Sequence, residues 1–350
     1  MLNKIYNSFS NDIGIDLGTS STLIHVKNQG LVLTEPSIVA LNQKTGRVVA
    51  IGKDANQMIG RTPAHITAVQ PLTNGIISNY EIAEEMLGYF IRQATGLATK
   101  KFFRPRVVVG VPTEITNVER RAVRDAAIGA GAREVHILEE PIASALGIQL
   151  PINDPVGNII IDVGGGTTDI AVISLGGIVQ AKSINIAGDQ YNQDIIAYVR
   201  DEFKILIGNK TAEEIKWAIG SVVKGDSPLE TTVRGRDLMS GLPREVVMTD
   251  TDVREAINES VEQFTETVKE VLESTPPEVI ADIMHRGIIL TGGGTVIRGL
   301  PSLLEKELKI PVHLIDEPHT SVVRGTGVVL EDLDVYQDIL IDNEDELPPR

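Results

Sequence analysis

Two segments of this chain place an acidic residue, a glycine turn and a hydroxyl in the same order. They are Asp16-Leu17-Gly18-Thr19 and Asp162-Val163-Gly164-Gly165-Gly166-Thr167. Glycine turns let backbone N–H groups converge on an anion without side-chain obstruction, and Thr19 and Thr167 add hydroxyl donors. Each turn follows an apolar run that ends in Asp, so both carboxylates can project towards the same ligand. Two acids beside bound phosphates repel them unless a cation intervenes, and Mg²⁺, which keeps most of its waters, is the natural one. These residues therefore predict a clamp for a nucleoside triphosphate between two loops. The alternative is a pair of ordinary turns with Asp caps, which a third such turn, Thr291-Gly292-Gly293-Gly294-Thr295, disfavours.

A third carboxylate lies in Leu138-Glu139-Glu140-Pro141, where the apolar run Val135–Leu138 ends. Pro141 suits the first turn of a following helix, which puts Glu140 at a strand-to-helix junction. There it can orient a water, or it can be a simple acid stabilised by the helix dipole; spacing leaves both open. Other nucleotide signatures are missing. The stretch ending in Ala181-Lys182-Ser183 has Ala181 where a Walker motif requires glycine, and no G-x-G-x-x-G follows a strand. The six histidines are scattered and read as structural or surface residues.

The elements that hold these residues read as α/β. Val107-Val108-Val109, Ile159-Ile160-Ile161 and Ile288-Ile289-Leu290 are short apolar runs bounded by Gly, Pro or Asp, as in buried strands. Val253, Ile257, Val261, Phe264, Val268 and Leu272 make one helical stripe, stopped by Pro276-Pro277. Thr116 and Glu119 form a capping box opening a helix through Ala127. Strands alternating with helices, together with the echo between the two Asp-glycine turns, predict two related halves around a cleft. Less regular segments, roughly 33–75 and 185–250, read as insertions on the two halves. The acidic stretch from Glu331 to Arg350 reads as a frayed, solvated tail.

Composition narrows the classes. The chain has 350 residues, 42% hydrophobic and 23% charged, as in ordinary globular proteins. Its net charge of −16, without a long Lys/Arg run, argues against a nucleic-acid binder. It has no cysteine, so disulfides and thiolate metal sites are impossible, which suits a reducing cytoplasm. No run approaches a membrane span, and no secretory signal is expected.

The two Asp-glycine segments resemble the phosphate 1 and phosphate 2 motifs of the actin, sugar-kinase and Hsp70 superfamily. Finer features resemble the MreB family of bacterial actins. These are Glu139-Glu140-Pro141, Ile186-Ala187-Gly188-Asp189, Gly241-Leu242-Pro243-Arg244, Thr275-Pro276-Pro277-Glu278, and Arg286-Gly287 leading into Leu290-Thr291-Gly292-Gly293-Gly294. The likeness runs from Met1 to about Leu330. It implies an actin-like α/β fold with two ribonuclease-H-like halves and four subdomains. Subdomain IA would be 1–32 with 76–147, IB 33–75, IIA 148–184 with 251–330, and IIB 185–250. It implies ATP, with GTP as an alternative, and Mg²⁺ near Asp16 and Asp162. Glu140, helped by Thr167, would position the attacking water. Phosphate contacts would come from Gly18, Thr19, Ser20, Gly164, Gly165, Gly166, Thr167 and Thr168. The adenosine side would be met by Thr211, Glu213, Glu214 and Lys216, with Gly292, Gly293, Gly294 and Thr295 closing over it. The family usually reads Asp-Leu-Gly-Thr-Ala-Asn-Thr at the first loop; here Ser20 and Ser21 replace the Ala-Asn pair, and Ser21 has a shorter polar reach.

The same resemblance implies a slowly ATP-hydrolysing protein that polymerises into double protofilaments and directs cell-wall synthesis to keep a rod shape. Its partners would be itself, transmembrane adaptors and elongation proteins. Its place would be cytoplasmic, on the inner face of the membrane. Leu2, Ile5, Tyr6 and Phe9 fall on one helical face beside Lys4, as in an interfacial helix; a plain leader or a strand extension also fits. Phe102 and Phe103, framed by Lys100, Lys101 and Arg104, suit a loop dipping into the interface, unless one Phe packs inward. Two rivals share the loops. An Hsp70-type chaperone needs a substrate domain where only the acidic tail follows, and a small-molecule kinase needs a further catalytic Asp beyond the loop pair, which the sequence does not single out.

Overall fold

The computed structural model describes residues 11–96 and 104–341. Two five-stranded sheets dominate it. The first runs, in spatial order, Glu134–Glu139, Arg106–Val111, Ile13–Leu17, Ser21–Val26 and Gly30–Pro36. The second runs Val312–Leu314, Ile288–Thr291, Asn158–Val163, Thr168–Ser174 and Gly177–Ile184. In each, an antiparallel meander of three strands is extended by two parallel strands beside its first member. The echo between the two Asp-glycine turns is thus the trace of one topology used twice.

The apolar runs are continuous because both faces of their strands are covered. Alternate side chains point to opposite faces. Val107 and Val109 enter the core of the first half, whereas Val108 enters a core shared between the sheets. Ile159 and Ile161 join the core of the second half, while Ile160 joins the shared one. Two helices fill that shared layer, Glu140–Gly147 and Ser321–Glu331, through Ile142, Leu146, Val322 and Val329.

The other helices follow their signals. Asp250–Ser274 buries Val253, Ile257, Val261, Phe264 and Val268 and ends just before Pro276-Pro277. A capping box at Thr249 and Asp252 starts it, which the stripe alone did not reveal. The Thr116–Glu119 box opens the helix Asn117–Gly129. Between residues 39 and 69 a small three-stranded sheet has its own cluster around Ile38, Ala40 and Ala55. A second three-stranded sheet lies between residues 205 and 249.

One expectation needs correcting. The chain from Glu331 to Ile341 is not frayed. Leu340 is buried in the shared core, and the Ile341 N–H donates to Ile137 O at 2.9 Å. The apolar trio Ile339-Leu340-Ile341, set among acids, anchors the segment. The anchors expected at Leu2, Ile5, Tyr6, Phe9, Phe102 and Phe103 lie outside the described residues.

Candidate functional site

The two Asp-glycine turns face one another. An added Cβ on Gly165 would strike Ser20 Oγ, and one on Gly166 would lie 2.5 Å from Thr19 Oγ1. Only glycine allows the loops this approach. The first loop is braced from behind, since Ser37 Oγ donates to Gly18 O at 2.7 Å. Thr19 Oγ1 accepts from Gly75 N at 2.7 Å, tying the loop to the turn after Leu72–Thr73. The second loop closes on itself through Gly164 N to Thr167 O at 2.8 Å. The start of the helix Gly188–Glu202 docks onto it, with Asp189 N donating to Gly165 O at 2.8 Å.

The resulting cleft holds about 360 Å³, within the range of small-molecule sites. Gly18, Thr19, Ser20, Gly164, Gly165, Gly166 and Thr167 all line it, as do Asp16, Asp162, Glu140, Glu213, Lys216, Gly292, Gly293 and Gly294. Four expected contacts do not. Thr168 is fully buried and donates to Ile186 O at 2.5 Å, which serves the sheet. Thr295 turns back on Gly292 O at 2.7 Å. Thr211 lies off the cleft lining, and Glu214 faces the adjoining gap between residues 36–74 and 192–218. Ser21 does line the cleft.

Burial makes the acids unusual. Asp16 is pushed up to about 8, by burial and then by Asp162. Asp162 is pushed up to about 7 by burial, against a hydrogen bond from Ser144 Oγ at 2.7 Å. Glu140 stands well above the ordinary carboxyl range through burial and then Asp169, Asp16 and Asp162. Glu140 opens the helix Glu140–Gly147, with Pro141 in its first turn.

Such a cluster is short of positive charge, and a dication beside it would relieve the repulsion. Among the described residues no three acidic or histidine side chains converge for direct ligation. Mg²⁺ is held by one or two carboxylates, several waters and the ligand's phosphates, and Asp16 and Asp162 line the cleft.

The sequence reading missed Asp169. It is 1% exposed and pushed up to about 6 by burial, while the Thr113 N–H and Oγ1 both donate to Oδ1 at 2.8 Å. Asp169 pairs directly with Asp162 across the hairpin. An Asp one residue removed from each end of the turn Gly164–Thr167 was the available signal. Asp189, raised by burial against the pull of Lys216, lines the cleft too. Glu213 behaves oppositely: burial pushes it up, but Lys216, Asn192 and Trp217 outweigh this and hold it low.

A family model described as MreB/Mbl protein matches residues 10–338. The cell shape-determining protein Mbl of Bacillus subtilis (strain 168) is 47% identical over 327 residues, covering 93% of this chain and 97% of that one. The cell shape-determining protein MreB of Escherichia coli (strain K12) is 46% identical over 350 residues, covering 98% and 100%. Crystal structures of MreB5 of Spiroplasma citri superpose closely. The ADP-bound form has a TM-score of 0.88 at 37% identity over 95% of this chain and 98% of that one. The AMPPNP-bound form scores 0.89, also at 37% identity, over 94% and 98%. A MamK double helical filament, at 22% identity and a TM-score of 0.78 over 91% of this chain and 98% of that one, shares the fold.

Proposed function

This chain belongs to the MreB/Mbl family of actin-like, cell-shape-determining proteins, and from that premise we propose that its cleft binds and slowly hydrolyses MgATP to drive filament assembly. The observation that carries this reading is the apposition of the two glycine loops over Asp16, Asp162 and Glu140. The family's solved relatives bound to ADP and AMPPNP support it. The phosphate loops read phosphates and not bases, so GTP fits the same clamp.

Phosphoryl transfer needs positioning and charge compensation more than covalent help. Backbone N–H groups of Gly18–Ser20 and Gly165–Thr167 hold the phosphate chain. Asp16 and Asp162 would hold Mg²⁺ through its waters, and the ion supplies compensation for the phosphate charge. Glu140 accepts a hydrogen bond from the attacking water, helped by the Thr167 hydroxyl. The water oxygen bonds to the terminal phosphorus as the bond to the bridging oxygen breaks, leaving ADP and phosphate. Burial and then Asp169 hold Glu140 above the ordinary carboxyl range, and Asp169 is itself tied to Thr113.

Filaments follow from family membership, and a pair of protofilaments is the form we propose. The halves would divide as subdomains IA (1–32, 76–147), IB (33–75), IIA (148–184, 251–330) and IIB (185–250). Among the described residues no helix is long and apolar enough to cross a membrane. Contact with the inner face of the cytoplasmic membrane would come from Leu2, Ile5, Tyr6 and Phe9 together with Phe102 and Phe103. Each buried apolar side chain gives at most about 1.5–3 kcal/mol, so single subunits bind weakly and filaments bind by avidity. Membrane adaptors and cell-wall elongation proteins would then be recruited along the polymer.

Light scattering and electron microscopy of the purified chain with MgATP test this. Nucleotide-dependent filaments are expected, and ATP consumption that requires an added small-molecule acceptor would instead mark a kinase. Co-sedimentation with liposomes separates the membrane claim: no binding by the wild-type polymer would sink the contact itself, and a polymerisation-dead variant binding as well as wild type would sink its dependence on avidity.

A further inference from the structure

The helix Glu140–Gly147 brings a second polar group to the acids of the cleft. After Glu140 it reads Pro-Ile-Ala-Ser-Ala-Leu-Gly, so Ser144 is the one residue of that run with a polar side chain. Ser144 follows Glu140 by four residues, which puts both on one face of the helix. Its neighbours Ile142, Ala143, Ala145 and Leu146 are buried in the shared core. A hydroxyl in such surroundings costs stability unless it is paired. Ser144 Oγ is paired: it donates to Asp162 Oδ2 at 2.7 Å.

Ser144 does not act alone. Its Oγ lies 3.2 Å from Ser321 Oγ, at the start of the helix Ser321–Glu331. Ser321 Oγ is in turn hydrogen-bonded to Thr291 Oγ1, and Thr291 is the strand neighbour of Asp162. Ser321 Oγ and Thr291 Oγ1 also reach Pro318 O, at 3.0 and 2.9 Å. Ser144, Ser321, Thr291 and Asp162 are all buried. An ionised carboxylate only accepts hydrogen bonds, so the Ser144 proton points at Oδ2. The Ser144 oxygen then accepts from Ser321, and the Ser321 oxygen from Thr291. Each donation polarises the next. A relay of hydroxyls from two helices and a strand thus ends on one oxygen of Asp162. The other oxygen is packed against the third glycine turn, because a side chain on Gly292 would collide with Oδ1. Asp162 is therefore confined at both oxygens while it lines the cleft, and Ser144 stands behind that lining.

We propose that Ser144 is a positioning residue for the divalent cation: its hydrogen bond holds the Asp162 carboxylate in a single orientation at the cleft wall, from which it meets the ion. This rests on the MgATP reading of the cleft and adds to it a residue that touches neither ion nor nucleotide. Loss of a partner behind a metal-holding group lowers metal affinity by about 10- to 100-fold. For an ion held through its waters the lower end applies.

Calorimetry of ADP binding at increasing Mg²⁺ tests this on the full chain without turnover. In Ser144→Ala the Mg²⁺ concentration giving half-maximal ADP affinity should rise about tenfold, and at saturating Mg²⁺ the Kd for ADP should return to the wild-type value. Ser144→Cys, which keeps the volume but donates weakly, should behave like Ser144→Ala. Asp162→Asn should raise the midpoint as well, and adding Ser144→Ala to it should raise it no further. An unchanged midpoint in Ser144→Ala, or independent effects of the two substitutions, overturns the proposal. So does a Kd for ADP raised equally at every Mg²⁺ concentration, since that marks a packing role. Wild-type ADP binding that is absent or indifferent to Mg²⁺, or a midpoint unmoved by Asp162→Asn, overturns the proposal together with the reading it rests on.

Discussion

Gly147→Ala tests whether the position of Glu140 depends on the tight crossing of the two helices between the sheets. An alanine Cβ at 147 would lie 2.8 Å from Gly325 N and 3.0 Å from the Ser321 carbonyl carbon, and nearer still to Ser321 O. Ordinary contact begins at 3.4 Å, so the helices Glu140–Gly147 and Ser321–Glu331 must part by about 1 Å. The obstructing atoms are backbone, so no side chain can swing aside. Overpacking of this kind costs about 1–3 kcal/mol, and the better helix propensity of alanine returns up to about 1 kcal/mol. The net loss of stability is then roughly 0–2 kcal/mol, and the protein stays folded. Catalysis should suffer more. Glu140 opens the displaced helix, and a misplacement of about 1 Å can cost roughly 10²-fold. Phosphate release and thermal unfolding, measured on the same preparation with MgATP, decide the matter. A fall in turnover far larger than the fall in stability is expected. Turnover above half of wild type, with an unchanged melting point, would refute the coupling of this crossing to the site.

The raised acids give the ligand-free protein a pH dependence. Native Asp16 and Asp162 keep protons up to about pH 8 and 7, whereas the unfolded chain releases them near 3.8. The native state binds more protons across that window, so stability falls as pH rises from about 4 to about 8. Melting points between about pH 6 and about pH 8.5 should decline, less so in Asp16→Asn or with MgATP bound. A slope in Asp16→Asn as steep as in wild type would count against this. Thr113→Val keeps the backbone donor to Asp169 Oδ1 but removes the hydroxyl. Denaturant unfolding should show a loss of about 1–3 kcal/mol, and an unchanged midpoint would mean that Asp169 does not need this donor.

What the sequence made legible was local. The Asp-glycine turns, the capping box at Thr116 and the stripe on Asp250–Ser274 each announce themselves within a few residues. The doubling of the sheet could be inferred from the echo between Asp16 and Asp162. Asp169 was harder, because its importance comes from lying opposite Asp162 in the hairpin and under Thr113, 56 residues away. Thr168 and Thr295 went the other way. Both sit in motif segments beside the cleft, yet their hydroxyls satisfy backbone carbonyls, because a buried hydroxyl must find a partner. The tail was misjudged because its acidic composition hid Leu340, which packs between the sheets.

The central claim is that a nucleotide held between the two loops is hydrolysed with Glu140 orienting the water. Glu140→Ala addresses it directly, with MgATP affinity, phosphate release and polymer mass followed in one preparation. The account predicts affinity within a few-fold of wild type, phosphate release lowered by about tenfold or more, and filaments that persist longer in ATP. Phosphate release at the wild-type rate, with ATP bound, would contradict it.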